Sequence, residues 1–339
     1  MGLSEVVSVL RQKQSFLIAG HVNPEGDALG SALALALALR AMGKQAEVVN
    51  KDPFPQQLIF LPHKDLFFRR EKITQPAEAL VVVDCGSFDR IGYPLPLPIP
   101  LIVNIDHHIT NPAFGHVNWL VPTATATGEM IYDLLREMEL PITPAIATCL
   151  YAALVTETGS FRYVNTTAKS LRVAADLIEK GADPAGIAQA VFETSTVERV
   201  SLLGEVLMAM EILPDERIAW ICVTQAQLQK TGTTLEDTED FVTYPRSIKN
   251  VEVAVFFREV GPERYKISFR SQGRINAAFL AQKWGGGGHS YAAGCSFSGS
   301  WERVKEAILS SVREVIREGL KQPGIVPALE GVESCKTVS

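Results

Sequence analysis

The sequence predicts an α/β protein. An N-terminal doubly wound, mainly parallel sheet is joined by a helical connector to a smaller mixed α/β domain, with the active-site cleft expected between them. Three observations predict it. Short runs of Val, Ile and Leu alternate with helix-forming segments through residues 16–180, the order of a parallel sheet with crossover helices. Strand-like runs return after residue 213 without that alternation. Acids and imidazoles stand just past the apolar runs, at the carboxyl ends of strands, where open α/β sheets place their ligands.

Residues 16–19, 46–49, 80–83 and 101–105 are short and rich in Val, Ile and Leu, as strands buried on both faces require. Helices are expected over 29–42, 126–138, 144–155 and 167–180. Residues 32–39 alternate Ala and Leu, which mimics a strand period. Neither residue is β-branched and both are strong helix formers, so helix is favoured. Pro94, Pro96, Pro98 and Pro100 bar a helix and mark an extended connection into the next strand. From about 183 to 210 the pattern is helical without strands. Beyond it, 218–223, 251–257 and 265–269 read as strands, and 275–283 and 301–318 as helices. The expected domains are therefore 1–185 and 213–322, with 186–212 as a connector. Residues 323–339 lack periodicity and are expected to be disordered.

A chain of 339 residues accommodates two domains of ordinary size, and 47% hydrophobic residues supply a core for each. No apolar run approaches the ~18–20 residues that cross a bilayer, and the N-terminus has no signal-peptide pattern, so no membrane role is expected. Cys85, Cys149, Cys222, Cys295 and Cys335 are scattered and odd in number, which fits reduced thiols in a cytoplasm. A net charge of −6 argues against tracking on long double-stranded DNA, which needs a basic surface.

Four segments carry the chemistry. His21, Glu25 and Asp27 lie within seven residues after the first strand-like run. Asp84 follows Val81, Val82 and Val83 directly. Asp106, His107 and His108 form a triplet just past another apolar run, and Glu157 follows an apolar helix. Singly, a strand-end acid is more often a turn or cap residue than a ligand, and the adjacent His107 and His108 carry more weight. Four such sites on neighbouring elements exceed what capping explains, because clustered buried acids are costly unless a cation joins them. The mixture of imidazole and carboxylate suits a hard or borderline divalent ion such as manganese.

These segments, in this order and at these separations, resemble the four motifs of the DHH phosphoesterase superfamily, whose name-giving triplet is matched by Asp106, His107 and His108. The run from Trp284 to Gly294, containing Gly286, Gly287, Gly288 and His289, resembles the glycine-rich signature of its DHHA1 domain. The likeness covers residues 10–320 and is nearest in style to short bacterial oligoribonucleases that also dephosphorylate 3′-phosphoadenosine 5′-phosphate (pAp). It implies two divalent ions, manganese first, with magnesium or cobalt as alternatives. His21, Glu25 and Asp84 would hold one; Asp27, Asp84, His107 and Glu157 the other, with Asp84 bridging. Asp106 would orient the histidines, and His108 would meet the scissile phosphate. The substrates implied are short RNA oligonucleotides, dinucleotides or pAp. Glu25 and Glu157 stand where the superfamily most often has aspartate, and each adds about 1.5 Å of reach.

Residues 241–285 hold eight Lys/Arg against three Asp/Glu, a locally basic stretch in an acidic chain. Arg246, Arg270 and Arg274 are candidates for phosphate or base contacts, with Ser271 beside the best of them. The glycine run is expected to offer successive backbone N–H groups to an anion, with His289 as a further donor. A manganese-dependent inorganic pyrophosphatase, which shares the first domain, is the nearest rival, and the glycine run disfavours it. A nucleotide-binding regulator with an impaired metal site is the other. The apolar stretch at 200–210 admits a homodimer.

Overall fold

The computed structural model describes residues 2–94, 97–193, 195–288 and 290–319. His289 and the tail 323–339 therefore lie outside the described residues. The chain divides into two compact units, Met1–Ser195 and Thr196–Ser339.

The first unit runs α1 (Leu3–Gln12), β1 (Ser15–Ala19), α2 (Gly26–Ala41), β2 (Gln45–Asn50), β3 (Phe67–Arg69), β4 (Ala79–Val83), β5 (Ile102–Asp106) and β6 (Val117–Leu120). Four helices follow: α3 (Thr127–Glu137), α4 (Pro144–Glu157), α5 (Ala168–Glu179) and α6 (Pro184–Phe192). Its sheet has the order β3-β2-β1-β4-β5-β6, and every pairing is parallel. The central strand β4 is buried throughout. Val81 and Val83 enter one core with Ile18 and Ile105, while Leu80 and Val82 enter another with Leu17 and Ile102. That two-sided burial is why its sequence is continuously apolar. The Ala/Leu segment is helix α2, apolar all round and accordingly buried against the sheet, α3 and α4.

The second unit runs α7 (Val197–Met208), β7 (Glu211–Leu213), β8 (Ile218–Val223), α8 (Gln225–Thr231), α9 (Thr243–Arg246), β9 (Val253–Gly261) and β10 (Arg264–Ser271). It ends with α10 (Ala277–Gln282), β11 (Gly287–Gly288), β12 (Ala292–Ser298) and α11 (Trp301–Gly319). The sheet order is β11-β12-β10-β9-β8-β7, antiparallel except for β8 with β9. One face packs α10 and α11 on Val255, Phe257, Ile267 and Phe269. The other is apolar only at its β8–β9 side, where Ile221 and Phe256 meet Leu202 and Phe241.

Several elements depart from the expectation. The stretch expected as one connector is two helices of different allegiance: Ile187 of α6 packs in the first unit's core, and Leu202 and Val206 of α7 pack in the second's. Strand β12 was not expected, because its residues Ala-Ala-Gly-Cys-Ser-Phe-Ser contain no β-branched residue. Seven-residue pairing with β10 imposes the strand, so the neighbour overrides intrinsic preference. The short strands β3 and β6 and the N-terminal helix α1 also lie outside the expected set.

Candidate active site

The carboxyl ends of β1, β4 and β5 and the starts of α2 and α3 converge on Asp84. Its backbone is left-handed (φ 52°), an uncommon conformation for a non-glycine residue, held by an N–H donated to the Ile105 carbonyl at 3.1 Å. The turn carries the carboxylate into the buried space at the strand ends. Oδ1 lies 3.4 Å from His107 Nε2 and 3.8 Å from His108 Nδ1, and accepts the Thr127 hydroxyl at 3.3 Å. Oδ2 lies 3.9 Å from His21 Nε2. It is buried and accepts no hydrogen bond from any described residue.

Two side chains face Asp84 by the same device. His21 Nδ1 is 2.7 Å from the Val22 carbonyl, and His107 Nδ1 is 3.1 Å from that of Ala124. A carbonyl only accepts, so each Nδ1 carries the proton and each Nε2 is turned toward carboxylates. For His107 these are Asp84 and Asp27 (Oδ2 at 3.7 Å); for His21 they are Asp84 and Glu25 (Oε1 at 3.7 Å). A nitrogen lone pair facing carboxylate oxygens is repelled unless a proton or a cation stands between them. Backbone-fixed Nδ1 with an inward Nε2 is also how metal-bound imidazoles are oriented.

Two groupings have ligand atoms close enough to share an ion: His21, Glu25 and Asp84, and Asp84, His107 and His108. Asp84 belongs to both. In the second, however, the His108 nitrogen that faces Asp84 is already committed, since Nδ1 lies 2.7 Å from Asp106 Oδ1. Asp27 lies beside this grouping rather than in it. Its two oxygens accept the Thr127 and Gly128 N–H groups at 2.7 and 2.8 Å, and Oδ1 also accepts the Ser31 hydroxyl at 3.1 Å. Helix α3 has no side-chain cap of its own, so Asp27 supplies its N-terminal anion from across the fold. Glu157 ends α4, outside both groupings but near enough for His107 to feel its charge. Glu25 is the outermost member, with 60% of its side chain exposed.

The electrostatics follow from this crowding. Burial pushes Asp27 up to about 7, aided by the neighbouring Asp84 charge and opposed by His107 and the α3 amides. Burial also opposes ionisation of Asp84, but His107, His108 and His21 together hold it well below the ordinary carboxylate range. Burial works against a charged His107, yet Asp84, Glu157 and Asp27 raise it well above the usual imidazole value.

Asp106 is fully buried at the end of β5. Its Oδ1 accepts the His107 N–H at 2.9 Å and pairs with His108, while Oδ2 accepts Asn111 Nδ2 at 2.6 Å. Asn111 also donates to the Cys85 carbonyl at 3.0 Å, tying the loop after Asp84 to the triplet. Gly86 completes the packing, since a Cβ there would stand 3.3 Å from the His108 ring. Sequence reasoning passed over Asn111, Thr127 and Gly128. The missing cap on α3 is the signal that points to the last two.

In the second unit the expected contacts fare differently. Arg270 stands near the end of β10, donating to its neighbour's carbonyl at 3.2 Å. Ser271 is 1% exposed and its hydroxyl is 3.4 Å from the Ser290 carbonyl, so it faces inward. Arg246 ends α9, and its carbonyl accepts Gln272 Nε2 at 2.9 Å. Arg274 reaches Glu252 at 3.3 Å, sharing that carboxylate with Arg217. The glycine run does not present four N–H groups to an anion. Gly285 and Gly286 donate back to Gln282 and Ala281, and Gly287 and Gly288 form β11. Glycine is required at 286 because a Cβ would meet Cys295 of β12 at 2.7 Å.

Carboxylates and imidazoles gathered at the ends of parallel strands define, as a class, a cation-dependent hydrolytic centre. The profile of the DHH family, N-terminal domain, matches residues 15–154, and that of the DHHA1 domain matches 221–318. The chain belongs to the DHH/DHHA1 family and is a phosphoesterase. It is 38% identical over 300 residues to the bifunctional oligoribonuclease and PAP phosphatase NrnA of Thermus thermophilus, covering 88% of this chain and 89% of that one. The protein of the same name from Bacillus subtilis is 27% identical, with 93% and 99% covered. Among solved structures, an exopolyphosphatase-related protein from Bacteroides fragilis matches with a TM-score of 0.83 and 28% identity, over 93% of this chain and 97% of that one.

Proposed function

We propose that this phosphoesterase hydrolyses short oligoribonucleotides and dinucleotides to mononucleotides and converts pAp to AMP, using two divalent ions. The observation that carries the reading is Asp84, which faces two groupings of ligands with two different oxygens, one of them buried without a donor. Relatives named for oligoribonuclease and pAp phosphatase activity supply the substrate class.

The donor set fits such ions, since imidazole with carboxylate suits manganese, and magnesium or cobalt less closely. His21, Glu25 and Asp84 would hold one, and Asp84, Asp27, His107 and Glu157 the other. Divalent ions there supply positive charge to phosphoryl oxygens and lower the pKa of an attacking water. The chain's own side chains do the rest. Val22 and Ala124 fix the two ligand tautomers, the α3 N-terminus holds Asp27, and Asp106 fixes His108 through Nδ1, which assigns substrate contact to its Nε2. On the second unit, Arg246, Arg270 and His289 contact the nucleotide in this reading.

The test is hydrolysis with manganese added, across a dinucleotide, pAp and inorganic pyrophosphate. Mononucleotide from the dinucleotide and AMP from pAp are the expected products. Turnover of pyrophosphate alone would overturn the substrate assignment, and binding without turnover would point to a nucleotide-responsive regulator.

A further inference from the structure

The strand that carries Arg270 also carries a cluster that the reading above does not use. Side chains alternate along β10, so Lys266, Ser268 and Arg270 share one face, while Ile267 and Phe269 enter the core under α10 and α11. Arg258 of β9 is the register partner of Lys266, and its Nη2 donates to Ser268 Oγ at 2.9 Å. Its guanidinium lies over the Phe256 ring, 5.3 Å from the centroid. Arg258, Lys266, Ser268 and Ser296 line a groove of about 530 Å³.

As it stands, this arrangement is unfavourable. Like charges directly opposite on paired strands repel. Among the described residues no carboxylate forms an ion pair with Arg258 or Lys266, whereas Arg217 and Arg274 in the same unit share Glu252. Arg258 Nε is buried and donates to nothing described. Burial lowers the Arg258 pKa, with Glu239 pulling the other way and the Arg270 charge adding to the effect. A half-buried guanidinium that forms no ion pair with a described carboxylate is costly, and Arg258 and Lys266 in the groove, with Arg270 on the same face of β10, concentrate positive potential for an anion.

We propose that Arg258, Lys266 and Ser268 seat the phosphodiester backbone of a single-stranded oligoribonucleotide, continuing the face that begins at Arg270. This rests on the oligoribonucleotide reading above and adds to it a determinant of chain length. Lys266 and Arg270 are four residues apart on one strand, about 13 Å. That span is too long for one phosphate group or for two adjacent ones, and fits phosphates about two nucleotides apart in an extended chain. The guanidinium fork of Arg258 suits a phosphate's paired oxygens, and the Ser268 hydroxyl already holds one arm of that fork in place.

The experiment uses the full chain and two readouts. The first is the ratio of kcat/KM for a pentaribonucleotide to that for a dinucleotide, with manganese. Lys266→Gln, at an exposed position where the fold is not at stake, is expected to lower this ratio about threefold. The double variant Arg258→Gln/Lys266→Gln is expected to lower it about tenfold. The second is fluorescence anisotropy with a labelled pentaribonucleotide in chelator, which reads binding without hydrolysis. There the slope of log affinity against log salt should shrink by about 0.7 for each cation removed. An unchanged ratio together with an unchanged slope would overturn the seat. Equal competition by inorganic phosphate and by unlabelled pentamer would replace the backbone with a lone anion. A wild-type chain that binds the pentamer through these cations yet hydrolyses no nucleotide would break the enzymatic reading and leave the seat standing.

Discussion

The two units gather charge in opposite ways. Around Asp84, acids and imidazoles from four separated segments are pressed into one place, and His21, His107 and Asp27 are tied down by the backbone of Val22, Ala124, Thr127 and Gly128. On the second sheet, cations are spread along adjacent strands by register alone, and Arg258 and Lys266 have no described counter-ion. The first arrangement needs protons or a cation between its members, and the second is relieved by an anion. The difference teaches that affinity for an absent partner shows as unsatisfied electrostatics, concentrated in one unit and distributed in the other.

The sharpest way to break this comparison is Asp84→Asn, which keeps the shape and removes the shared charge. Turnover should fall by about 10³-fold or more, because both ligand groupings lose their common member. Manganese titration followed by calorimetry should show the loss of binding directly. Residual activity within tenfold of wild type would mean that Asp84 is not the common ligand.

Asn111→Ala tests whether the site depends on its outer supports. Asn111 joins Asp106 to the loop after Asp84, so its loss loosens His108 without removing any ligand. A 10–100-fold loss is expected, as for other outer-shell partners. It should fall mainly on kcat, with manganese affinity nearly kept. An equal loss in a distant stability measurement and in kcat would reduce Asn111 to a structural residue.

The strand-end acids and the Asp106, His107, His108 triplet were legible because residue type and position after an apolar run are both written locally. The partners that hold them were not. Asp27 meets residues 127 and 128, one hundred positions further on, and no local pattern announces such a contact. Asn111 is three residues past His108 and reads as a turn residue until its bonds to Asp106 and Cys85 are seen. The glycine run misled for a related reason. Gly286 and Gly288 serve close approach to β12, and β12 itself is invisible in a sequence of small residues.

Acidity provides a third test, on the metal-free chain. Asp27, pushed to about 7 from an ordinary 3.8, binds its proton more tightly when folded. His107, raised above 6.5, does the same. The stability from both is complete below those ordinary values and fades as pH rises through the folded ones. Asp84 and Asp106, held low, lose theirs only on acidification below the carboxylate range. The melting temperature without metal should therefore fall between pH 5.5 and 8, and manganese should restore it by binding the folded state. Asp27→Asn should flatten the slope. A metal-free chain that grows more stable over this interval would contradict the self-repelling site.

The smallest effect belongs to Arg274, and it sharpens the contrast within the second unit. Arg274 is 63% exposed on its side chain and has Glu252 as partner, which also retains Arg217. An exposed pair of this kind contributes ~0–1 kcal/mol. Arg274→Gln should lower stability by no more than that, read by urea titration, and should change pentaribonucleotide affinity by less than twofold. Lys266 is also exposed but forms no ion pair with any described carboxylate, so two cations in one basic stretch are expected to answer differently. If Arg274→Gln weakened RNA binding tenfold while Lys266→Gln did not, the presence of a carboxylate partner would be the wrong criterion for separating structural cations from ligand-binding ones.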